Sequence, residues 1–327
     1  MENTDKALQE KLHKVIIIGS GPSGYTAALY NARANLEPIL FTGLEQGGQL
    51  MMTTDVENYP GFPEGLLGPD MMDKFKQQAE RFGTVIIPKH ITKVDFSERP
   101  YKLWAEDELY QAESVIISTG ATAKWLGIPS EEEYKGYGVS ACATCDGFFF
   151  RDKEVIVIGG GDSAMEEATF LTKFAKKVYI VHRRDSFRAS KIMQERALGN
   201  PKIEAIWNST VDEILGTQAP EKKVTGVRLK NINTGETKEM PIDGIFLGIG
   251  HKPNTDIFKD WLDMDELGYI NVQPFSTKTK IPGIFAAGDV TDRTYRQAIT
   301  AAGMGCMAAI DAEKYIEEKE YELKAVI

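Results

Sequence analysis

A chain of 327 residues with 38 Lys and Arg against 48 Asp and Glu is too long for one hydrophobic core. Its net charge of −10 argues against a surface that grips nucleic acid or an anionic membrane, which leaves small molecules or another protein as partners. Apolar residues at 42%, charged residues at 26% and 30 glycines describe a soluble globular protein with many close backbone approaches.

The opening MENTDKALQEKLHK lacks the apolar stretch of a secretory signal, and no segment approaches the roughly 18 apolar residues of a membrane span. Three cysteines are too few for a secreted disulfide framework, so the expected setting is a reducing cytoplasm. KVIIIGSGPSGYTAALYNARAN reads as a short buried strand over 15–18, a glycine turn, and a helix with Ala and Leu at helical spacing. Gly19, Gly21 and Gly24, with Pro22 among them, keep the G-x-G-x-x-G spacing between strand and helix, where free amides and bare backbone can receive a pyrophosphate. Any tight strand-to-helix turn gives the same pattern. The acidic ribose partner expected about 20 residues on is missing, because PILFTGLEQGGQL places Thr42 and Gly43 there, with Glu45 nearby.

ITKVDFSERPYKLWAEDELYQAESVIISTG then predicts strands over about 91–96, 101–105 and 109–118. SACATCDGFFF follows, with Cys142 and Cys145 two residues apart and Asp146 directly behind them. EVIVIGGGDSAMEEATFLTKFAKKVYIVHRR repeats the first unit, with strands over 155–158 and 178–181 around a second turn, Gly159-x-Gly161-x-x-Ala164, in which Asp162 and Ser163 open the helix. After its second strand come His182, Arg183 and Arg184, with Arg188 expected one helical turn on. An NAD site would have a carboxylate there, whereas guanidinium groups suit the 2′-phosphate of NADPH; a solvated basic patch is the plainer alternative. If one turn takes NADPH, a flavin on the other is the natural hydride acceptor.

VTGVRLKNINTGETKEMPIDGIFLGIG gives a hairpin about Asn233 to Gly235 and a strand closing into Gly248 and Gly250. Both copies end in an apolar strand and a glycine, at VIISTGA and IFLGIGH, which makes residues 119–123 and 248–251 the expected crossings between domains. GIFAAGDV adds a strand, and a long amphipathic helix is expected from about Arg296 to Glu318. The predicted fold class is α/β, with two Rossmann-like dinucleotide-binding domains in three layers, each a parallel central sheet with added β-strands. The first domain is discontinuous, over 1–119 and 250–327, and the second, over 124–245, is inserted into it.

A tetrahedral zinc site needs four ligands, and Cys306 with histidines 13, 90, 182 and 251 shows no second pair at ligand spacing. Cys306 reads as a core cysteine among small residues. The Cys142 and Cys145 pair is either two packed thiols or a working dithiol fed by the nucleotide sites. Asp146 would oppose a neighbouring thiolate by like-charge repulsion, so a proton carrier suits it better than an activator; a turn aspartate before Gly147 is the plainer reading.

Two Rossmann units, HRR, CATCDG, and GIFAAGDV followed by YRQAITAAGMGCMAA together resemble the low-molecular-weight bacterial thioredoxin reductases of the flavoprotein disulfide reductase superfamily, from about Lys14 to Tyr315. The resemblance implies FAD at Gly19, Gly21, Pro22 and Gly24, at Thr42, Gly43, Gly47, Gly48, Gln49 and Leu50, at Asn58, and at Gly288, Asp289, Arg296, Gln297 and Ala298. It implies NADPH at Gly159, Gly161, Asp162, Ser163, Ala164, His182, Arg183, Arg184 and Arg188. It further implies that Cys145 faces the flavin, Cys142 attacks the disulfide of thioredoxin, and Asp146 donates a proton. Rotation of the NADPH domain between half-reactions and a homodimer formed through the FAD domain belong to the same pattern. A same-fold reductase of another dithiol carrier and a flavin-bound redox sensor are the competing expectations, and no metal is expected.

Overall fold

The computed structural model describes residues 8–9, 11–53 and 55–326. The chain divides into two units, Met1–Thr122 with Lys252–Ile327, and Ala123–His251. In the first, Leu12–Ile18 lies between Ile39–Phe41 and Glu108–Ile117, parallel to both, and Val85–Ile87 extends the same edge in parallel. Glu108–Ile117 divides its other edge in two. Its first half pairs antiparallel with Tyr101–Ala105, which carries Ile91–Asp95, while its last three residues pair in parallel with Ile284–Ala286.

The two-residue period of a strand sorts the core of this unit. Val15 and Ile17 pack with Ala27, Ala28, Ala308, Ala309 and Ala312 of the helices Pro22–Arg33 and Ala298–Val326. Ile16 and Ile18 pack with Leu103, Tyr110 and Phe258. Since both faces are covered, the central strands read as unbroken apolar runs, whereas Tyr101–Ala105 alternates buried with half-buried residues. A Cβ on Gly305 would stand 2.2 Å from the Ser23 carbonyl oxygen, so the long helix lies directly on the first helical turn after the glycines. That helix begins two residues later than the sequence predicts, because Arg296 takes the left-handed φ of 47°, and it continues past Glu318 to Val326.

The second unit has a five-stranded parallel sheet in the order Val139–Ser140, Gly244–Gly248, Glu154–Gly159, Lys177–Val181, Ile203–Ile206. Val155, Val157 and Phe246 pack with Ala164, Ala168, Leu171 and Ala197 of the helices Asp162–Leu171 and Lys191–Leu198. Ile156, Ile158 and Leu247 pack with Val211, Val227 and Leu229 of an antiparallel sheet made by Ser209–Thr217, Lys223–Asn231 and Thr237–Pro241. Asn231 Oδ1 accepts the amides of Asn233 and Thr234, and Gly235 takes a φ of 77°, which closes the predicted hairpin. Among the described residues no helix is long and apolar enough to cross a membrane.

Candidate active site

Cys142 and Cys145 are joined in a disulfide with Cα atoms 5.3 Å apart, which takes both sulfurs out of any zinc ligand set. Both are half-buried, at the start of the short helix Ala143–Asp146. The Cys142 carbonyl accepts the amides of Cys145 at 3.2 Å and Asp146 at 3.1 Å, while the Cys142 amide donates to Ser140 Oγ at 3.0 Å. Burial pushes the Asp146 carboxyl above its ordinary range, opposed by a hydrogen bond with Ser140. A carboxyl held there keeps its proton to higher pH than a surface aspartate does, which suits a carrier. Ser140 carries no motif signal, yet it supports both Cys142 and Asp146. Cys306 is half-buried and hydrogen-bonds the Tyr30 hydroxyl, so it is not the core cysteine predicted; Ala308, Ala309 and Ala312 occupy the core-facing positions of its helix.

The first glycine turn is built by close approaches. A Cβ on Gly19 would sit 2.2 Å from the Ser118 carbonyl oxygen, and one on Gly24 only 1.9 Å from that of Gly19. At Gly21 a Cβ would meet nothing within 4 Å, and the helix that opens at Pro22 has no side-chain cap. Uncapped amides at the start of a helix, beside the side-chain-free backbone of Gly21, form a cradle that fits a dinucleotide pyrophosphate. Ser20 occupies a variable position of the motif and so carries no signal of its own, yet its hydroxyl donates to the Thr42 carbonyl and accepts the Gly47 amide, both at 2.9 Å, and so ties the turn to the 42–50 segment. Gly47 and Gly48 have φ of 95° and 68°, which brings Gly48 against Gly21 and leads into the turn of Gly48–Met52 that holds Gln49 and Leu50. Thr42 is buried with its hydroxyl donated to the Gly43 carbonyl.

Asn58 Nδ2 donates to Gln297 Oε1 at 3.4 Å, which joins two expected flavin residues from distant parts of the chain. Gly288 approaches Ser23, and beside it the half-buried Asp289 turns inward an Oδ1 that is itself buried and has no hydrogen-bond partner among the described residues. Burial, with Asp292 nearby, pushes the Asp289 carboxyl up to about 7, partly offset by Arg296. An orphaned buried acceptor next to the cradle fits a hydroxyl donor from a bound dinucleotide. Folded protein binds this proton more tightly than unfolded, so the stability it contributes is present below pH 3.8 and is lost as pH rises towards 7. In flavin-free protein, Asp289→Asn is expected to match wild type near pH 4 and to exceed it by on the order of 3 kcal/mol at pH 8, measured by urea denaturation.

The second turn uses the same plan with one exchange. A Cβ on Gly159 would lie 2.4 Å from the Gly248 carbonyl oxygen, but Ala164 replaces the third glycine. Its methyl fills space that a Cβ on Gly159 or Gly248 would invade, at 2.7 Å and 2.9 Å. Gly161 again faces open space, and the half-buried Ser163 stands in the first turn of the helix Asp162–Leu171, which has no side-chain cap. Arg183, Arg184 and Arg188 are exposed on a segment that is neither helix nor strand, so Arg188 does not stand one helical turn beyond Arg184. The backbone is held elsewhere, since the Gly160 carbonyl accepts the amides of Arg188 and Ala189. His182 lies beneath this turn. A Cβ on Gly160 would stand 2.3 Å from its ring, which packs beside Phe187 and Trp207, and burial lowers its pKa. It therefore supports the turn from below.

Two Rossmann-type units, one bearing a Cys-x-x-Cys disulfide, define a nucleotide-dependent disulfide oxidoreductase. Residues 13–305 match the model of the pyridine nucleotide-disulphide oxidoreductase family. The chain is 58% identical over 306 residues to a thioredoxin reductase of Rickettsia bellii, covering 93% of this chain and 98% of that one. It is 55% identical over 316 residues to thioredoxin reductase 2 of Arabidopsis thaliana, covering 93% and 82%. The crystal structure of thioredoxin reductase from Streptococcus pyogenes is similar with a TM-score of 0.89 at 44% identity, over 94% of this chain and 99% of that one. The chain belongs to the pyridine nucleotide-disulphide oxidoreductase family, and within it to the thioredoxin reductases.

Proposed function

We propose that the chain reduces the disulfide of thioredoxin, with FAD resident on the turn at Gly19–Gly24 and NADPH as donor on the turn at Gly159–Ala164. The observation that carries this reading is the Cys142–Cys145 disulfide in a chain with two open, uncapped glycine turns. A bound flavin would supply the electron pair, taken as hydride from the nicotinamide, that opens the disulfide. Two electrons and two protons convert Cys142–Cys145 to the dithiol. Cys142 as thiolate then attacks one sulfur of the thioredoxin disulfide and releases the other as a thiol. Cys145 attacks the resulting mixed disulfide at Cys142, which restores the Cys142–Cys145 bond and frees reduced thioredoxin.

Asp146 carries a proton between the departing sulfurs and solvent, and Ser140 holds Cys142 and Asp146 in fixed relation. The unit of residues 123–251 turns between half-reactions, since nicotinamide and disulfide need the flavin one after the other. The same reading includes a homodimer formed through the first unit and a cytoplasmic setting. The test is NADPH oxidation in the presence of thioredoxin and a thiol-reporting dye. Oxidation of NADPH that leaves the thioredoxin disulfide intact would overturn the reading in favour of another dithiol carrier or a sensor.

Donor choice rests on Arg183 and Arg184. Each charge-assisted bond to a phosphate contributes about 1.5 kcal/mol or more, so Arg183→Ala/Arg184→Ala should lower kcat/KM for NADPH by about a hundredfold. For NADH it should change by no more than about threefold, since that nucleotide has no 2′-phosphate to lose. Steady-state kinetics with both donors reads the result, and an unchanged preference removes the assignment.

A further inference from the structure

Asp162 and Ser190 stand 28 positions apart and meet over the second glycine turn. Asp162 Oδ1 accepts the Ser190 amide at 2.8 Å and the Ser190 hydroxyl at 2.9 Å. Beside them the Gly160 carbonyl accepts the amides of Arg188 at 2.7 Å and Ala189 at 3.0 Å. The amides of three successive residues, 188 to 190, are thus all donated to the glycine turn. Gln194 Nε2 adds a bond to the Ala189 carbonyl at 2.7 Å. Two of these acceptors, Gly160 and Asp162, flank Gly161, whose backbone faces open space.

An acid in the first turn of a helix ordinarily favours the free amides of that turn. Asp162 does not cap them, for the helix has no side-chain cap and the carboxylate is committed to Ser190. The arginine segment has no helix or strand of its own to fix its path. Phe187 packed on Trp207 and the Asn208 amide donated to the Arg184 carbonyl hold its far side, while its register against the turn is set by these bonds, of which Asp162 supplies the two that a side chain of the turn makes.

We infer that Asp162 is a positioning residue for donor selectivity, which holds the segment of Arg183, Arg184 and Arg188 against the glycine turn and does not itself bind the nucleotide. This rests on the proposed use of NADPH. The chemistry it governs is discrimination between adenosine with and without a 2′-phosphate. Two other roles for the same carboxylate predict different outcomes. As a direct ligand it would affect both nucleotides alike, and as a mere negative charge its removal would strengthen phosphate binding whether the replacement is Asn or Ala.

The test is calorimetric titration of the flavin-loaded enzyme with 2′,5′-ADP and with 5′-AMP. Asp162→Ala is expected to reduce the preference for 2′,5′-ADP by about fivefold to twentyfold, with 5′-AMP affinity within about twofold of wild type. Asp162→Asn is expected to keep the preference within about twofold, because an amide oxygen can accept both bonds from Ser190. Hydrogen exchange of the same enzyme without added nucleotide should show the amides of residues 188–190 losing protection in Asp162→Ala and keeping it in Asp162→Asn. An unchanged preference or unchanged protection in Asp162→Ala, or identical behaviour of the two variants, overturns the inference. Failure of the NADPH reading looks different, since wild type would then bind 2′,5′-ADP no better than 5′-AMP, and the inference falls with it.

Discussion

Cys142→Ser and Cys145→Ser each lower thioredoxin-dependent NADPH oxidation by about a thousandfold or more, while NADPH still bleaches the bound flavin at a rate within about twofold of wild type. A serine hydroxyl ionises far above neutral pH and forms no covalent bond to sulfur, so neither step of the exchange survives. Lost folding does not account for the loss. The disulfide closes a loop with a sequence separation of 3, so its removal relieves little chain entropy in the unfolded state. The bonds from the Cys142 carbonyl to the amides of Cys145 and Asp146, and from its amide to Ser140, are backbone bonds that serine keeps. The measurement pairs steady-state turnover with single-turnover flavin bleaching. Full turnover in either variant would show that the dithiol is not on the electron path.

The parts of this arrangement that were legible in the sequence are those in which one residue type answers one local demand. Gly19 and Gly159 approach a carbonyl at the end of the neighbouring strand too closely for any side chain, and Gly21 and Gly161 face space that must stay open, so the spacing itself marks the turns. The unbroken apolar strands declared a sheet covered on both faces in the same way. What the sequence did not disclose depends on contacts between distant positions. Ser140 and Ser20 are ordinary serines until the fold brings Asp146 to one, and Thr42 and Gly47 to the other. His182 stands in a basic triplet, but the strand before it directs its ring beneath Gly160, so position along the chain misrepresents its chemistry. Counting along the chain places Arg188 one helical turn past Arg184, whereas Gly160 and Asp162 hold its segment in an irregular path that no propensity scale encodes.

Gly21 and Gly24 separate the cofactor role of the first turn from its structural role, and their substitution gives the other large effect. Gly21 has an extended-side φ of −71°, which any residue tolerates, and a Cβ there would meet no described protein atom within 4 Å. Gly21→Val should therefore fold, with flavin-free stability within about 1 kcal/mol of wild type, yet lose roughly a hundredfold or more in FAD affinity because its methyl groups occupy the cradle. Gly24→Ala is the converse. Its methyl would be driven to 1.9 Å from the Gly19 carbonyl oxygen, a backbone atom that cannot swing aside, at the point where the helix packs on the sheet. The expected cost is about 3 kcal/mol or more in flavin-free protein, with weak flavin retention as a consequence of the disturbed turn. The second copy explains why alanine is costly at one turn and natural at the other. At Ala164 the φ of the first glycine is 155° where Gly19 has 107°, and Gly248 stands where the first copy has Ser118, so the methyl has room. Urea denaturation of stripped protein together with flavin titration distinguishes the two variants. If Gly21→Val binds FAD normally, the cradle has been assigned to the wrong ligand, and if Gly24→Ala is as stable as wild type, the close approach that shapes the turn is not there.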